Sequence, residues 1–569
     1  MNVLHDFNHN LAPGVLTSHD TDPGWWRGAV IYQIYPRSFQ DSNGDGIGDL
    51  RGITQRLPHI AGLGVDAIWI SPFFKSPMLD FGYDVSNYTE VDPMFGTMAD
   101  FDSMIAEAHR LGLKVMIDQV ISHSSEQHPW FVESCSSRDN AKSDWYVWAD
   151  AKPDGSPPNN WLSIFGGSAW QWDATRCQYY LHNFLPSQPD LNFHNEDVQD
   201  ALLDTIQFWL DRGVDGFRLD TINFYFHSQG LEDNPPLQAD KRNDSIAPAV
   251  NPYNFQSHLY DKSRDENIGF LKRFRQLLDS YPAKTAVGEV GDAERGLEIV
   301  AEYTSGDELV HMCYSFDFLS PDPITPEKVR TVVGDFEKVA PDGWSCWAFS
   351  NHDVMRHASR WADQILDRDG FLKMTATLIL SLRGSVCLYQ GEELGMTEAL
   401  LAYEDLQDPY GIQFWPSFVG RDGCRTPMTW SHNAEAGGFT TGKPWLPLPP
   451  EHNHLSSNLQ DGDPESLLNH YRAALQFRAS EPVFMTGDIR FLEGSDSVLA
   501  FERSQNGTTI FVAINMSDAE AQIAAPPSSF VNLESPGAGG SIAGNKLTLD
   551  AYGSYFGRMQ QTAKGGETA

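Results

Sequence analysis

Eight times between residues 30 and 389, a short run of β-branched and aromatic residues gives way to a longer segment with helical spacing of its apolar positions. The runs fall at 30–35, 67–70, 115–120, 216–219, 285–290, 312–316, 346–349 and 386–389, with helical patterns such as 101–111 and 198–210 between them. Parallel strands need a crossover helix between each pair, and eight such units suit a closed (β/α)8 TIM barrel better than an open sheet. The expected fold class is therefore α/β.

Three segments interrupt this rhythm. Residues 122–194, between the third and fourth strands, are rich in Trp, Pro, Gly and Asn, and at that length predict a small inserted domain. A second long connection, 222–264, is rich in Asp, Asn and Pro and is placed to cover the barrel mouth. From about residue 482 short alternating runs at 498–502 and 508–515, punctuated by Gly and Pro-Pro, predict a C-terminal antiparallel β-sandwich. The expected division is an N-terminal extension (1–24), a barrel (25–121 and 195–481), an inserted domain (122–194) and a C-terminal β domain (482–569), ending in a frayed tail at 560–569.

Composition narrows the function. With 40 Lys and Arg against 77 Asp and Glu, the net charge of −37 argues against a nucleic-acid partner, which needs clustered cations. Hydrophobic residues at 41%, with 16 Trp, supply enough apolar surface to exclude wholesale disorder. No run approaches the ~18 apolar residues of a membrane span, so no membrane association is expected. The first 24 residues have neither the basic start nor the apolar stretch of a secretory signal. The six cysteines are dispersed without a C-x-x-C pair and read as buried small hydrophobes in a cytoplasmic, reducing setting.

Barrel active sites lie at the carboxyl ends of the strands. Three acids reach that end: Asp220 after Gly216-Phe-Arg-Leu, Glu289 after Val287-Gly, and Asp353 after Ser350-Asn-His. A single Asp at a strand end more often caps a helix, but three converging with Arg218, His123 and His352 suit glycosidic bond cleavage by paired carboxyl groups. Arg218, two residues before Asp220 and on the same strand face, would keep that carboxylate ionised. Glu289 has no basic neighbour in its local sequence, which suits a raised pKa and an acid role.

The motifs together resemble glycoside hydrolase family 13, and specifically the α-glucosidases of the oligo-1,6-glucosidase and maltase group within the α-amylase superfamily. They are Trp26-Arg-Gly-Ala-Val-Ile-Tyr-Gln-Ile-Tyr-Pro36, Asp118-Gln-Val-Ile-Ser-His123, Gly216-Phe-Arg-Leu-Asp220, Gly288-Glu289, Ser350-Asn-His-Asp353 and Gln390-Gly-Glu-Glu393, and they span almost the whole chain. The resemblance implies Asp220 as nucleophile, Glu289 as acid/base and Asp353 as transition-state stabiliser in a double displacement that retains the α configuration. It also implies a glucose held by Asp80, His123, Arg218, His352 and Arg421, with Tyr83 stacking under the ring. Phe165, Phe184 and Phe316 resemble its aromatic wall positions, and Gln188 a nearby polar one. Small α-glucosides and sugar or alcohol acceptors are the implied partners, and the chain is expected as a monomer or homodimer with no organic cofactor.

Two further features refine this reading. Asp41, Asn43, Asp45 and Asp49 recur at alternating positions around Gly46, like the start of an EF-hand loop, although Gly52 stands where the bidentate Glu would be. The same loop resembles the family's calcium or magnesium site, with Ile47 giving its carbonyl, so one structural divalent cation is expected. Thr221 follows the nucleophile, and in this group Thr resembles α-1,4-preferring enzymes whereas Val accompanies α-1,6 preference. A sucrose isomerase is the nearest alternative, but its Arg-Leu-Asp-Arg-Asp segment is absent, the region reading Leu319-Ser-Pro-Asp-Pro-Ile-Thr325. A catalytically silent transporter partner is disfavoured by the intact set of three acids.

Overall fold

The computed structural model describes residues 22–362, 365–527 and 529–560. Eight parallel strands form the central sheet: β1 (Val30–Ile34), β2 (Ala67–Ile70), β3 (Lys114–Gln119), β4 (Gly216–Leu219), β5 (Thr285–Glu289), β6 (Met312–Tyr314), β7 (Cys346–Ala348) and β8 (Ser385–Tyr389). The strands neighbour one another in chain order, with β1 also paired to β8, and a parallel bridge between Cys313 and Ser345 joins β6 to the approach of β7. This is the TIM barrel expected from the alternation, and each of the eight sequence runs supplies one strand. The predicted helical pattern at 198–210 lies within helix Glu196–Asp211, and that at 101–111 coincides with helix Met98–Arg110 except for Leu111, its C-cap.

The period of two along each strand divides the core. Val30, Tyr32 and Ile34 of β1 and Ile68 and Ile70 of β2 join the large cluster under the surrounding helices, whereas Ile31, Trp69, Met116, Val287, Met312 and Cys387 fill the barrel interior. One step further along, the same inner face carries Gln33, Asp118, Arg218 and Glu289, all buried. Apolar layers below thus place a polar layer at the carboxyl ends of the strands. On the outer face of β5, between the inward Val287 and Glu289, residue 288 is glycine, and a Cβ there would come within 2.9 Å of both Cys313 Sγ and Ile222 Cδ1.

The insertion contains an antiparallel sheet of Trp148–Ala149, Gln178–Leu181 and Trp170–Asp173 packed around Trp161 and Trp170. It also holds a helix, Pro129–Ser136, that its Trp- and Asn-rich composition did not announce. After β4, the long connection makes only short helical turns, such as Ile222–Phe224 and Pro252–Phe255. At the C-terminus a five-stranded antiparallel sheet faces a three-stranded one across Val498, Ala500, Phe511, Leu547 and Leu549. Residues 1–21 of the expected extension and 561–569 of the expected tail lie outside the described residues.

The cysteine expectation needs correction. All six are free and Cys313, Cys346, Cys387 and Cys424 are buried, but Cys177 is exposed and Cys135 half-buried, because both lie in the irregular insertion rather than in the barrel.

Two buried arginines are held by main-chain carbonyls near the junction of barrel and C-terminal sheet, and the second, Arg503, spans it. Arg478 donates to Gly28 O, Leu380 O and Gly384 O, and Arg503 to Ser381 O, Phe484 O and Gly487 O. Burial, with Arg478 and Arg383, pushes Arg503 well below its usual pKa against the charges of Glu337 and Asp488, and among the described residues no carboxylate is within ion-pair distance, so carbonyl oxygens take its hydrogen bonds. Arg503→Leu would leave these carbonyls unsatisfied, and urea unfolding should record a loss of about 3 kcal/mol or more. A change below about 1 kcal/mol would show that water replaces the guanidinium.

Candidate active site

The Arg218 guanidinium, fully buried on β4, sits at the centre of the polar layer. Its Nη1 lies 2.9 Å from Asp118 Oδ1 and 2.6 Å from Asp220 Oδ1, and its Nη2 lies 2.5 Å from Glu289 Oε2. Strand register explains the first contact, since Asp118 and Arg218 are directly paired between β3 and β4. Tyr314, opposite Glu289 on β6, accepts from Arg218 Nη2 at 2.9 Å and donates to Glu289 Oε1 at 3.0 Å. Thr221 completes the group: its N–H reaches Glu289 Oε2 at 3.2 Å and its hydroxyl donates to Asp220 Oδ2 at 3.2 Å.

Two electrostatic expectations change. Glu289 does have a basic partner, because the barrel brings Arg218 to it from the neighbouring strand. Asp220 is not simply held ionised by Arg218. Burial raises it to about 7, with Arg218 opposing and Asp118 and Asp353 reinforcing the rise. Glu289 is likewise raised to about 7, by burial and by Asp220 and Asp353 against Arg218 and the Thr221 N–H. One guanidinium cannot neutralise three carboxylates, so Asp220 and Glu289 titrate as a linked pair in which one proton is readily retained.

Asp353 behaves oppositely. Burial would raise it, but His352, Arg421, Arg425 and Arg218 together hold its carboxyl well below the usual range. Its Oδ1 accepts from Arg421 at 3.2 Å and Arg425 at 2.9 Å, and its Oδ2 lies 3.1 Å from His352 Nε2. Burial pushes His352 down to about 3, so the ring is neutral. With Gln33 Nε2 at 2.7 Å from Nδ1, the hydrogen-bond network assigns the proton to Nε2, facing Asp353. The two arginines therefore carry the charge compensation and His352 supplies an N–H.

Arg421 also grips Asp80 Oδ1 at 2.8 Å and the fully buried Asp408 Oδ1 at 2.8 Å. Gln188 Nε2 donates to Asp80 Oδ2 at 3.1 Å, and His123 Nε2 contacts Tyr83 O at 2.9 Å. The Tyr83 ring lies parallel to His352, with centroids 5.4 Å apart, and its hydroxyl donates to Asp118 at 3.1 Å.

Above these groups opens a cavity of about 490 Å³. It is lined by Asp80, Tyr83, His123, Phe165, Phe184, Gln188, Asp220, Thr221, Glu289, Phe316, Asp353 and Arg421, whereas Arg218 and His352 lie beneath its floor. The insertion contributes Phe165 and Phe184, whose loops are joined because Ser163 Oγ donates to Phe184 O at 2.7 Å and accepts from Phe165 N at 3.1 Å. Residues 244–249 of the connection after β4 form one wall, as expected, and Tyr410 with 417–421 forms another. Asp118 belonged to a noted motif without an assigned role. Tyr314, Asp408 and Arg425 were missed, although the alternation Met312, Tyr314, Phe316 already marks Tyr314 as sharing one strand face with them.

The 41–49 loop winds through its own side chains. Asp41 Oδ1 accepts from Asn43 N and Gly44 N, Asn43 Oδ1 from Asp45 N, Asp45 Oδ1 from Ile47 N, and Asp49 Oδ1 caps helix Leu50–Leu63 through Gly52 N. Gly46, at φ +92°, has no room for a Cβ beside the Lys443 carbonyl. The donor set is all oxygen, as a hard cation requires, although among the described residues no group of three or more His, Cys, Asp or Glu side chains converges as a metal cage.

A barrel with an acid-lined cavity at the carboxyl ends of its strands is the architecture of an enzyme, and its paired acids suit glycoside cleavage. The alpha-amylase catalytic-domain family matches residues 33–487, and the chain belongs to that family. It is 64% identical over 540 residues to a probable alpha-glucosidase of Rhizobium meliloti (strain 1021), covering 95% of this chain and 98% of the relative. An oligo-1,6-glucosidase of Heyndrickxia coagulans is 37% identical, covering 87% and 92%. Among solved structures, the alpha-glucosyl transfer enzyme XgtA is 54% identical with a TM-score of 0.92, covering 94% of this chain and 99% of that one. The trehalulose synthase MutB from Pseudomonas mesoacidophila MX-45 is 34% identical with a TM-score of 0.84, at the same coverage. The protein is a glycosidase of the α-glucosidase type, acting on sugar substrates.

The Tyr314 hydroxyl favours the ionised form of Glu289, so its removal in Tyr314→Phe should raise the Glu289 pKa. The basic limb of the kcat/KM profile should move up by roughly half to one pH unit. An unmoved limb would mean that the hydroxyl does not act on Glu289.

Proposed function

We propose that the protein is a retaining α-glucosidase that removes the non-reducing terminal glucose from small α-glucosides, preferring maltose-type α-1,4 bonds and releasing α-glucose. The observation that carries this reading is the single Arg218 guanidinium shared by Asp220 and Glu289. Carboxyl groups held by adjacent nitrogens of one guanidinium suit the roughly 5–5.5 Å of a retaining pair better than the roughly 6.5–9.5 Å of an inverting one. Asp220 would attack the anomeric carbon while protonated Glu289 gives its proton to the departing oxygen. Glu289, now ionised, would then take a proton from water as that water displaces Asp220. Asp353, kept ionised by Arg421 and Arg425, would stabilise the cationic ring between these steps.

Asp80, Arg421, His123 and Gln188 would hold the glucose hydroxyls, with Tyr83 beneath the ring. The walls at 244–249 and 417–421 favour a second ring over a long chain. Sugars or alcohols entering in place of water would receive the glucosyl group, a reading supported by the similarity to XgtA. The six free thiols suit a reducing, cytoplasmic setting.

Asp220→Asn and Glu289→Gln should each lower kcat on maltose by about 10³-fold or more, and NMR of the first product should show the α anomer. Full activity in either variant, or a β product, overturns the mechanism. The ratio of kcat/KM for maltose to that for isomaltose should exceed one, and a ratio below one removes the role given to Thr221. Similarity to a trehalulose synthase raises sucrose isomerisation as the second reading, which accumulation of rearranged disaccharide from sucrose would favour.

The 41–49 loop is proposed to hold one divalent cation, Ca²⁺ or Mg²⁺, through Asp41, Asn43, Asp45, the Ile47 carbonyl and Asp49, in a structural role. Millimolar Ca²⁺ or Mg²⁺ should raise the Tm by about 2 °C or more over chelated protein, in keeping with ligand linkage. Asp45→Ala should abolish that shift. An unchanged Tm in either salt would leave an acidic turn that closes on its own backbone.

A further inference from the structure

The cavity is chemically two-sided. Its polar side comes from the loops after β2 and β3 together with Arg421, where the glucose would be gripped. The side formed by Phe316, Leu319 and Pro321 after β6 and by Val354 and Met355 after β7 is apolar, except for the side chains of Glu398 and Arg360. Asp80, Asp220, Glu289 and Asp353, other acids lining the cavity, are each in an ion pair within 3.2 Å. Glu398 is in none. Its Oε2 accepts the Arg356 N–H at 3.0 Å, and among the described residues no donor hydrogen-bonds Oε1. The seat of Oε1 exists because residue 423 is glycine, where any Cβ would overlap that oxygen.

From this we infer that Glu398 is a specificity-determining residue, accepting hydroxyl hydrogen bonds from the second ring of the substrate, the leaving sugar on hydrolysis and the acceptor sugar on transfer. The inference rests on the glucosidase reading and deepens it. Apolar walls complement the C–H faces of a pyranose but do not distinguish it from an aromatic leaving group. An unpaired carboxyl among them does, because a hydroxylated ring satisfies it and an aryl ring leaves it desolvated without a partner. Burial raises Glu398 to about 7, with the Arg356 N–H and the charges of Arg356, Arg360 and Arg425 opposing, so both the acceptor form and the donor form are within reach of a sugar hydroxyl.

The test compares maltose with 4-nitrophenyl α-glucoside, which share the glucose and differ in the leaving group. Glu398→Leu should raise the KM for maltose about tenfold or more while kcat/KM on the aryl substrate stays within about threefold. Glu398→Gln, which keeps an acceptor for Arg356 and adds a donor for the sugar, should recover most of the maltose activity. It is also the variant to use if the leucine protein does not fold. A parallel fall of kcat on both substrates would overturn the inference, assigning Glu398 to positioning Asp353 through the Arg356 backbone, and so would unchanged kinetics on both. Wild-type turnover of the aryl glucoside keeps the glucosidase reading independent of either result, and a wild-type chain that cleaves neither substrate overturns both.

Discussion

A cation at the centre of a protein is tolerable only when surrounded by negative charge, and here that requirement organises the whole upper barrel. Arg218 has no exposed surface and three carboxylates within 2.9 Å. Removing the guanidinium would strand like charges in a low-dielectric interior, a change that typically costs ~3–5 kcal/mol for one broken buried pair. Keeping it binds β3, β4 and β5 in a common electrostatic unit with Tyr314 of β6. The surplus of negative charge keeps the Asp220 and Glu289 protons within reach at neutral pH. The same crowding that burdens folding leaves two neighbouring carboxyl groups of matched strength.

What a chain of this kind discloses before folding depends on whether the deciding contact is local. The eight strands were legible because each is a short apolar run bounded by polar sequence, and the three acids because each follows such a run directly. The Arg218 and Glu289 contact was not legible, since the two belong to different strands and become neighbours only when β4 and β5 pair in register. Asp408 and Arg425 escaped for a related reason: both lie in the irregular stretch after β8, where no periodicity tells an inward side chain from an outward one. The helix Pro129–Ser136 was obscured by the aromatic and turn-forming residues around it.

Division of labour follows from the same geometry. The barrel supplies rigid strand ends that fix the acids, while loop systems, among them the insertion, 244–249, the turns after β6 and β7, and Tyr410 with 417–421, supply the walls. Changes in the walls would alter which molecule is admitted without disturbing the charges below, as expected of sites grafted on a shared scaffold. The −37 net charge belongs mainly to the exterior, because the cavity acids are few and mostly compensated by arginine.

Thr221 escapes that division. It is a β-branched residue in the left-handed region, at φ +39°, a conformation that such side chains adopt only under constraint from their surroundings. In that pose its hydroxyl touches Asp220, its N–H touches Glu289, and Ser122 Oγ lies 3.1 Å from its oxygen. A residue in the cavity wall is thus also wired to both of the carboxyl groups that burial raises. Shape and electrostatics cannot be tuned separately there: an exchange of Thr for Val would reshape the cavity wall and, in the same step, strip a hydrogen bond from Asp220.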